Sequence, residues 1–255
     1  MIGDLLRDWR AARGYSQLEL ALEADISARH LSFVETGRAR PSEAMVLRLA
    51  RTLDVPLRER NAMLVAAGYA PRYRALPREA QAMAAIRRAM DLLLTSHAPF
   101  PAIALDAGFR VVEANAGFRA LQAAFGLPEG PGAVLSDLVT APGPLREAIL
   151  NWADCARYTL GRLRTAVRLQ GPGAPAAEAL ERAMAAPGVA EAVAGAGRDA
   201  DLPILPVELR VGGTVTRWIT TLTHFGGPLD IGVEELLIEQ FHPADAETEA
   251  IFRDG

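Results

Sequence analysis

Ala28, Arg29, Ser32 and Phe33 fall on the outward face of one short helix. Side chains of these types on such a face can read the edge of a DNA base pair. An Arg29 guanidinium pairs in bidentate fashion with guanine, and Ala28 or Phe33 can pack on a thymine methyl. Phe33 has a second reading, as an exposed ring packed on its neighbour. His30 lies beside this face, towards the DNA backbone. Gln17 opens the preceding helix, where backbone amides and a side-chain donor can meet a phosphate. Arg38 and Arg40 lie in the loop that follows and are expected phosphate contacts. Leu31 and Val34 have core spacing. Glu35 is expected to be a structural hydrogen-bonding partner near Gly37.

These residues depend on two helices held at a fixed angle. Ser16 and Glu19 have the S-x-x-E spacing of a capping box, which starts the first of them. Ser27 caps the second, over 28–36, and Gly37 stops it. Small Ala21 sits where the two must approach, so the pair reads as a helix-turn-helix, whose second helix can enter the major groove. An amphipathic helix over 3–13 precedes the pair, with Leu5, Leu6 and Trp9 on one side. Ser42 caps a fourth helix, and a fifth runs over about 57–67 to Gly68.

Other chemistry finds little support. His30, His97, His224 and His242 are scattered, with no metal-binding spacing, and no metal or cofactor is expected. Ser96-His97 marks a helix end, not a nucleophile. Cys155 is the single cysteine, which fits a reducing cytosol. The chain contains no Lys, so no phosphate-binding G-x-x-x-x-G-K loop exists. The expectation is a protein that is not an enzyme. It has no apolar run long enough for a membrane span and a cytoplasmic location. Residues 1–70 hold ten Arg against nine Asp and Glu, in a chain of net charge −4. With so little net positive charge, sequence-specific binding should depend on a homodimer reading two half-sites.

The pattern changes after a junction near 68–74. A helix over 79–94 leads to a strand at 102–105, an Asp106-Ala107-Gly108-Phe109 turn, a strand at 110–113 and a helix opened by Asn115. Three further β segments are expected at 204–211, 214–225 and 233–241. The middle, about 132–194, reads as helical and alanine-rich, with one long helix over 144–169. Gly195-Ala196-Gly197 starts a loop to Pro203. Together these segments predict a five-stranded antiparallel sheet with a helical cover, as in small sensor folds of PAS type. Such a fold places a mostly apolar cavity between sheet and helices. Phe109, Trp152, Leu160, Ile219, Leu222 and Phe225 are candidate lining residues. Asn151, Arg157 and Arg164 are candidate anchors for a carboxylate. Core filling is the alternative for each apolar residue, and a solvated helix face for the arginines.

The first quarter of the chain resembles the phage-repressor type of DNA-binding domain, the xenobiotic-response-element-like family. The residues that carry this are Ser16-Gln17, Leu20-Ala21, Ile26-Ser27, Leu31, Val34-Glu35, Gly37 and Pro41. The whole chain is similar to helix-turn-helix regulators with a C-terminal MmyB-like ligand-binding domain. That likeness runs through Asp54-Val55-Pro56-Leu57-Arg58, Ala66-Ala67-Gly68-Tyr69-Ala70-Pro71, Asn151-Trp152, Arg162-Leu163-Arg164 and Phe241-His242-Pro243-Ala244-Asp245. The resemblance implies two domains: an all-α five-helix module at 1–70 and an α+β PAS-like sensor at 99–255, joined by 71–98. It also implies double-stranded DNA and a small apolar, fatty-acid-like ligand as partners. Two alternatives stand beside it. One is a helix-turn-helix that binds a protein partner, as antitoxins do, and the other is a C-terminal domain packed solid without a ligand.

Overall fold

Serine hydroxyls start three of the five N-terminal helices. In the computed structural model, which describes residues 1–128, 130–171, 173–195 and 204–253, these are α1 (Ile2–Ala12), α2 (Gln17–Glu23), α3 (Ala28–Glu35), α4 (Glu43–Thr52) and α5 (Leu57–Ala66). Ser16 Oγ accepts from the Glu19 amide at 3.2 Å, and Glu19 Oε2 accepts from the Ser16 amide at 2.8 Å. This reciprocal pair satisfies two amides that no helical carbonyl can reach. Ser27 accepts from the His30 amide and Ser42 from the Met45 amide. α5 begins at Pro56, which has no capping side chain. Its first amide, at Leu57, instead donates to Glu234 Oε2 at 2.7 Å, a carboxylate at the positive end of the helix.

The chain divides by packing into two units: Met1–Leu76 with Arg168–Gly173 and Gly227–Glu234, and the remainder. Leu6, Trp9, Leu20, Leu31, Val34, Leu49, Leu53 and Leu64 fill the core of the first unit. Burial of each such side chain stabilises by about 1.5–3 kcal/mol. α1 approaches α3 at Gly3, where a Cβ would collide with the carbonyls of Val34 and Glu35. Only glycine allows that approach.

The second unit opens with a 3-10 turn at Gln81–Met83 and α6 (Ala84–Thr95). β1 (Ala102–Leu105) and β2 (Val111–Ala114) follow, then α7 (Ala116–Ala124), α8 (Leu135–Thr140), α9 (Pro144–Ala148), α10 (Trp152–Gln170), α11 (Ala176–Ala185) and α12 (Val189–Ala194). Next come β3 (Val207–Val211) and β4 (Thr214–His224). α13 (Ile231–Glu234) belongs to the first unit, and β5 (Leu237–Pro243) and α14 (Ala246–Arg253) close the chain. The strands form one antiparallel sheet in the order β2-β1-β5-β4-β3. One face carries Ala102, Ala104 and Ile238 against Met90 and Leu94 of α6. The opposite face carries Ile103, Leu105, Trp218 and Phe241, as the two-residue period of a strand requires.

Three sequence expectations change. The single helix over 144–169 is two, because residues 149–151 leave the helix to meet β3. The Leu150 amide donates to the Glu208 carbonyl at 2.8 Å, and the Asn151 side chain accepts from the Glu208 amide at 3.0 Å. The last strand starts at Leu237, not 233, because Asp230 accepts from the Gly232 and Val233 amides and starts α13. The first of the three late strands starts at Val207. Residues 196–203, most of the loop expected from Gly195 to Pro203, lie outside the described residues.

Candidate functional site

The helix-turn-helix of the first unit is braced from below. Glu35, at the end of α3, has a side chain with no solvent exposure. Arg10 Nε and Nη2 donate to its two carboxylate oxygens at 2.7 and 3.1 Å, and Gln17 Nε2 donates to Oε2 at 2.6 Å. α1, α2 and α3 therefore meet on one buried carboxylate, as expected of Glu35. Gln17 is half-buried, with an amide N–H committed to this cluster.

On the outer face, Arg29 is exposed and its guanidinium carbon stands 5.3 Å from the centroid of the half-buried Phe33 ring. His30 and Ser32 are half-buried, and Ala28 packs partly against the core. Arg38 is exposed. Arg40, the other expected phosphate contact, is exposed but has a second engagement. Its Nε and Nη2 donate to the carbonyls of Ala67 and Gly68 at 3.0 and 3.2 Å, capping the end of α5. It also lies over Tyr69, whose hydroxyl donates to the Pro41 carbonyl at 3.0 Å.

The second unit contains a cavity of about 120 Å³ between the sheet and α7 to α10. Its wall is mostly apolar: Phe109, Phe118, Leu121, Leu138, Val139, Ile149, Trp218 and Phe241 among others. Phe109 is held at φ 61°, where a bulky residue is strained. The turn that holds it is built on Asp106, whose Oδ1 accepts from the Gly108 and Arg110 amides at 2.8 and 3.0 Å. α10 presents Cys155, Tyr158, Thr159 and Arg162 to the cavity, and β5 presents Glu239. Arg162 Nη1 and Nη2 donate to the two Glu239 oxygens at 2.9 Å each, with the Glu239 side chain 3% exposed. Among the described residues, no cluster of three or more His, Cys, Asp and Glu is placed to hold a metal ion. None of their helices is long and apolar enough to cross a membrane.

A family model described as MmyB-like transcription regulator ligand binding domain matches residues 86–254. The chain belongs to this MmyB-like family. A helix-turn-helix model matches residues 6–60. The two together make the protein a ligand-responsive transcription regulator. A search of curated proteins finds no match.

In the MmyB-like domain the expected site residues separate. Phe109 lies on the cavity wall. Leu160 is buried in the adjoining core, and Trp152 lies beside it with Nε1 donating to the Val139 carbonyl at 2.9 Å. Neither lines the cavity. Ile219 lies between Trp218 and Thr220, both on the wall, and so points to the other face of β4. Leu222 pairs with Glu239 on the cavity side of the sheet but is 41% exposed, beyond the wall. Phe225 packs with Met90 and Leu94 behind the sheet.

The three expected carboxylate anchors are corrected as well. Asn151 Nδ2 donates to the Pro206 carbonyl at 2.7 Å, so its side chain ties α10 to the segment that leads into β3. Arg157 is held by Asp154 and the Ala192 carbonyl, and Arg164 is exposed. Among the described residues, the cation at the cavity is Arg162, which was not among the expected anchors. Cys155, Tyr158, Thr159 and Arg162 follow the i, i+3, i+4, i+7 spacing of one helix face. Arg164 sits roughly 200° further round that helix. That spacing was the available signal.

Proposed function

We propose that this regulator is a cytoplasmic homodimer and not an enzyme. In this reading residues 1–70 bind double-stranded DNA, with α3 in the major groove and Arg29, Ser32 and Phe33 facing the bases. Ala28, His30, Gln17 and Arg38 flank the contact. Residues 99–255 form a PAS-like sensor for a small apolar effector, fatty-acid-like in its aliphatic chain, and 71–98 connects the two. The observation that carries the reading is an apolar cavity in a chain that begins with a helix-turn-helix.

The size of the cavity limits the effector. An engineered cavity of about 150 Å³ takes up benzene, and drug-sized ligands occupy about 300–1,000 Å³. A cavity of about 120 Å³ suits a six-carbon molecule or the end of a longer chain. A full-length acyl chain requires α8 and α9, which supply Leu135, Leu138, Val139 and Leu145 to the wall, to move outward. To act as a switch, the effector must bind two arrangements of the dimer with different affinity. The two recognition helices would then change their fit to half-sites about 34 Å apart. The chain returns twice to the first unit, at Arg168–Gly173 and Gly227–Glu234, so cavity changes have covalent routes to it.

Native mass spectrometry of the purified chain tests the reading, followed by identification of any released molecule and selection of DNA from a random pool. The expected result is a dimer that releases an aliphatic molecule and enriches a two-fold symmetric site. A monomer that enriches no sequence would sink the DNA-reading half. A chain that neither carries nor takes up any apolar molecule would sink the sensor half.

A further inference from the structure

Besides Cys155, Tyr158, Thr159 and Thr220, two polar points of the cavity wall bear on what it can hold. Ser136 lines the cavity, is 1% exposed, and its Oγ has no hydrogen-bond partner among the described residues. A buried hydroxyl left without a partner is a standing cost that a ligand group can relieve. The second point is the Arg162–Glu239 pair. Two of the five guanidinium N–H groups go to the two Glu239 oxygens. The pair is net neutral, and both carboxylate oxygens are matched. Phe109 and Tyr158 flank it, with ring centroids 5.3 and 5.8 Å from the guanidinium carbon.

A ligand carboxylate entering this cavity finds its cation already taken. It must either share the single Arg162 cation with Glu239 or displace Glu239 and leave that buried carboxylate alone. Both outcomes place an unmatched charge in a mostly apolar interior. A hydroxyl or carboxamide meets neither cost. It can exchange hydrogen bonds with Ser136 Oγ, or accept from an Arg162 N–H that Glu239 does not use, without adding a charge.

We propose that the effector of this cavity is a neutral amphiphile, a short aliphatic chain ending in a hydroxyl or carboxamide. Ser136 recognises the head group, and the Arg162–Glu239 pair excludes carboxylates. This rests on the reading of the cavity as the effector site.

The test uses the full chain at pH 8, titrated with hexan-1-ol, hexanamide, hexanoate and benzene by ligand-observed NMR. Hexanol and hexanamide are expected to bind at least about tenfold more tightly than hexanoate. Ser136→Ala should lose about tenfold towards the two neutral polar probes and nothing towards benzene. Glu239→Gln leaves Arg162 without its counter-charge and should turn the preference towards hexanoate. Hexanoate binding as tightly as hexanamide to the unaltered protein would overturn the proposal, as would a Ser136→Ala variant that treats all four probes alike. Should Glu239→Gln fail to fold, those two measurements decide. Binding of none of the probes refutes the cavity as effector site, and this proposal with it. A carboxylate preference refutes only the proposal made here.

Discussion

Replacing Arg10 by Met removes the cation that faces a carboxylate sealed from solvent. The Glu35 side chain is 0% exposed and that of Arg10 is 18% exposed. Two charge-assisted hydrogen bonds to Glu35 and one from Arg10 Nη1 to the Tyr15 carbonyl disappear. Only the Gln17 contact then remains on Glu35 among the described side-chain bonds. Breaking a buried pair by removing one partner costs about 3–5 kcal/mol. At about 1.36 kcal/mol per decade, that is between two and nearly four decades in the opening equilibrium of the helix-turn-helix. Amide hydrogen exchange of the full chain, resolved over α1 and α3, reads this directly. Operator affinity should fall in parallel, because α2 and α3 lose the post that fixes their angle. Arg10→Met with Glu35→Leu should regain most of the loss, since an apolar pair of similar volume carries no desolvation cost. A protection loss below tenfold for Arg10→Met would refute the argument, as would a double variant as damaged as the single one.

Arg29→Ala should weaken binding to a selected operator by about 1–3 kcal/mol while leaving non-specific binding nearly unchanged; unchanged operator affinity by fluorescence anisotropy would remove Arg29 from the readout. Asn115→Ala should destabilise the second unit by about 3 kcal/mol or more. Asn115 is 4% exposed, accepts from the Ala102 and Phe118 amides, and donates to the Leu94 and Phe100 carbonyls. A shift of the denaturant midpoint worth under about 1 kcal/mol would show that water replaces these bonds. His242 is held below its ordinary pKa by burial and by neighbouring His97, whose ring lies 4.6 Å away. The folded chain therefore takes up fewer protons there than the unfolded chain. Its contribution to stability is complete above about pH 6.5 and is lost as pH falls through and below that value. His242→Gln should reduce the difference between unfolding midpoints at pH 8 and pH 5.5; an unaltered difference would assign the pH dependence elsewhere.

Much of this molecule is governed by interactions within a few residues, and those parts were legible from sequence. Ser16, Ser27, Ser42 and Asn115 each cap the helix that follows by accepting from an amide three residues on. Such a bond requires only the right residue at the right offset. The alternation of apolar residues in the strands likewise predicted five strands, although which side of β4 meets the cavity was assigned wrongly for Ile219.

The remaining features depend on pairings that sequence spacing does not encode. Glu234 caps α5 from 177 residues away, and Glu239 meets Arg162 across 77. Residues 149–151 part α9 from α10 because Glu208 of β3 arrives beside Leu150 and Asn151. Arg40 and Arg164 look like equal candidates in a list of cations. One is committed to the end of α5 and the other lies on the exposed side of α10. Local hydrogen bonding and hydrophobic periodicity determined the elements and the helix-turn-helix by themselves. Which polar side chains share the cavity was decided only when sheet and helices packed, because burial and distant partners set what a charged group can do there.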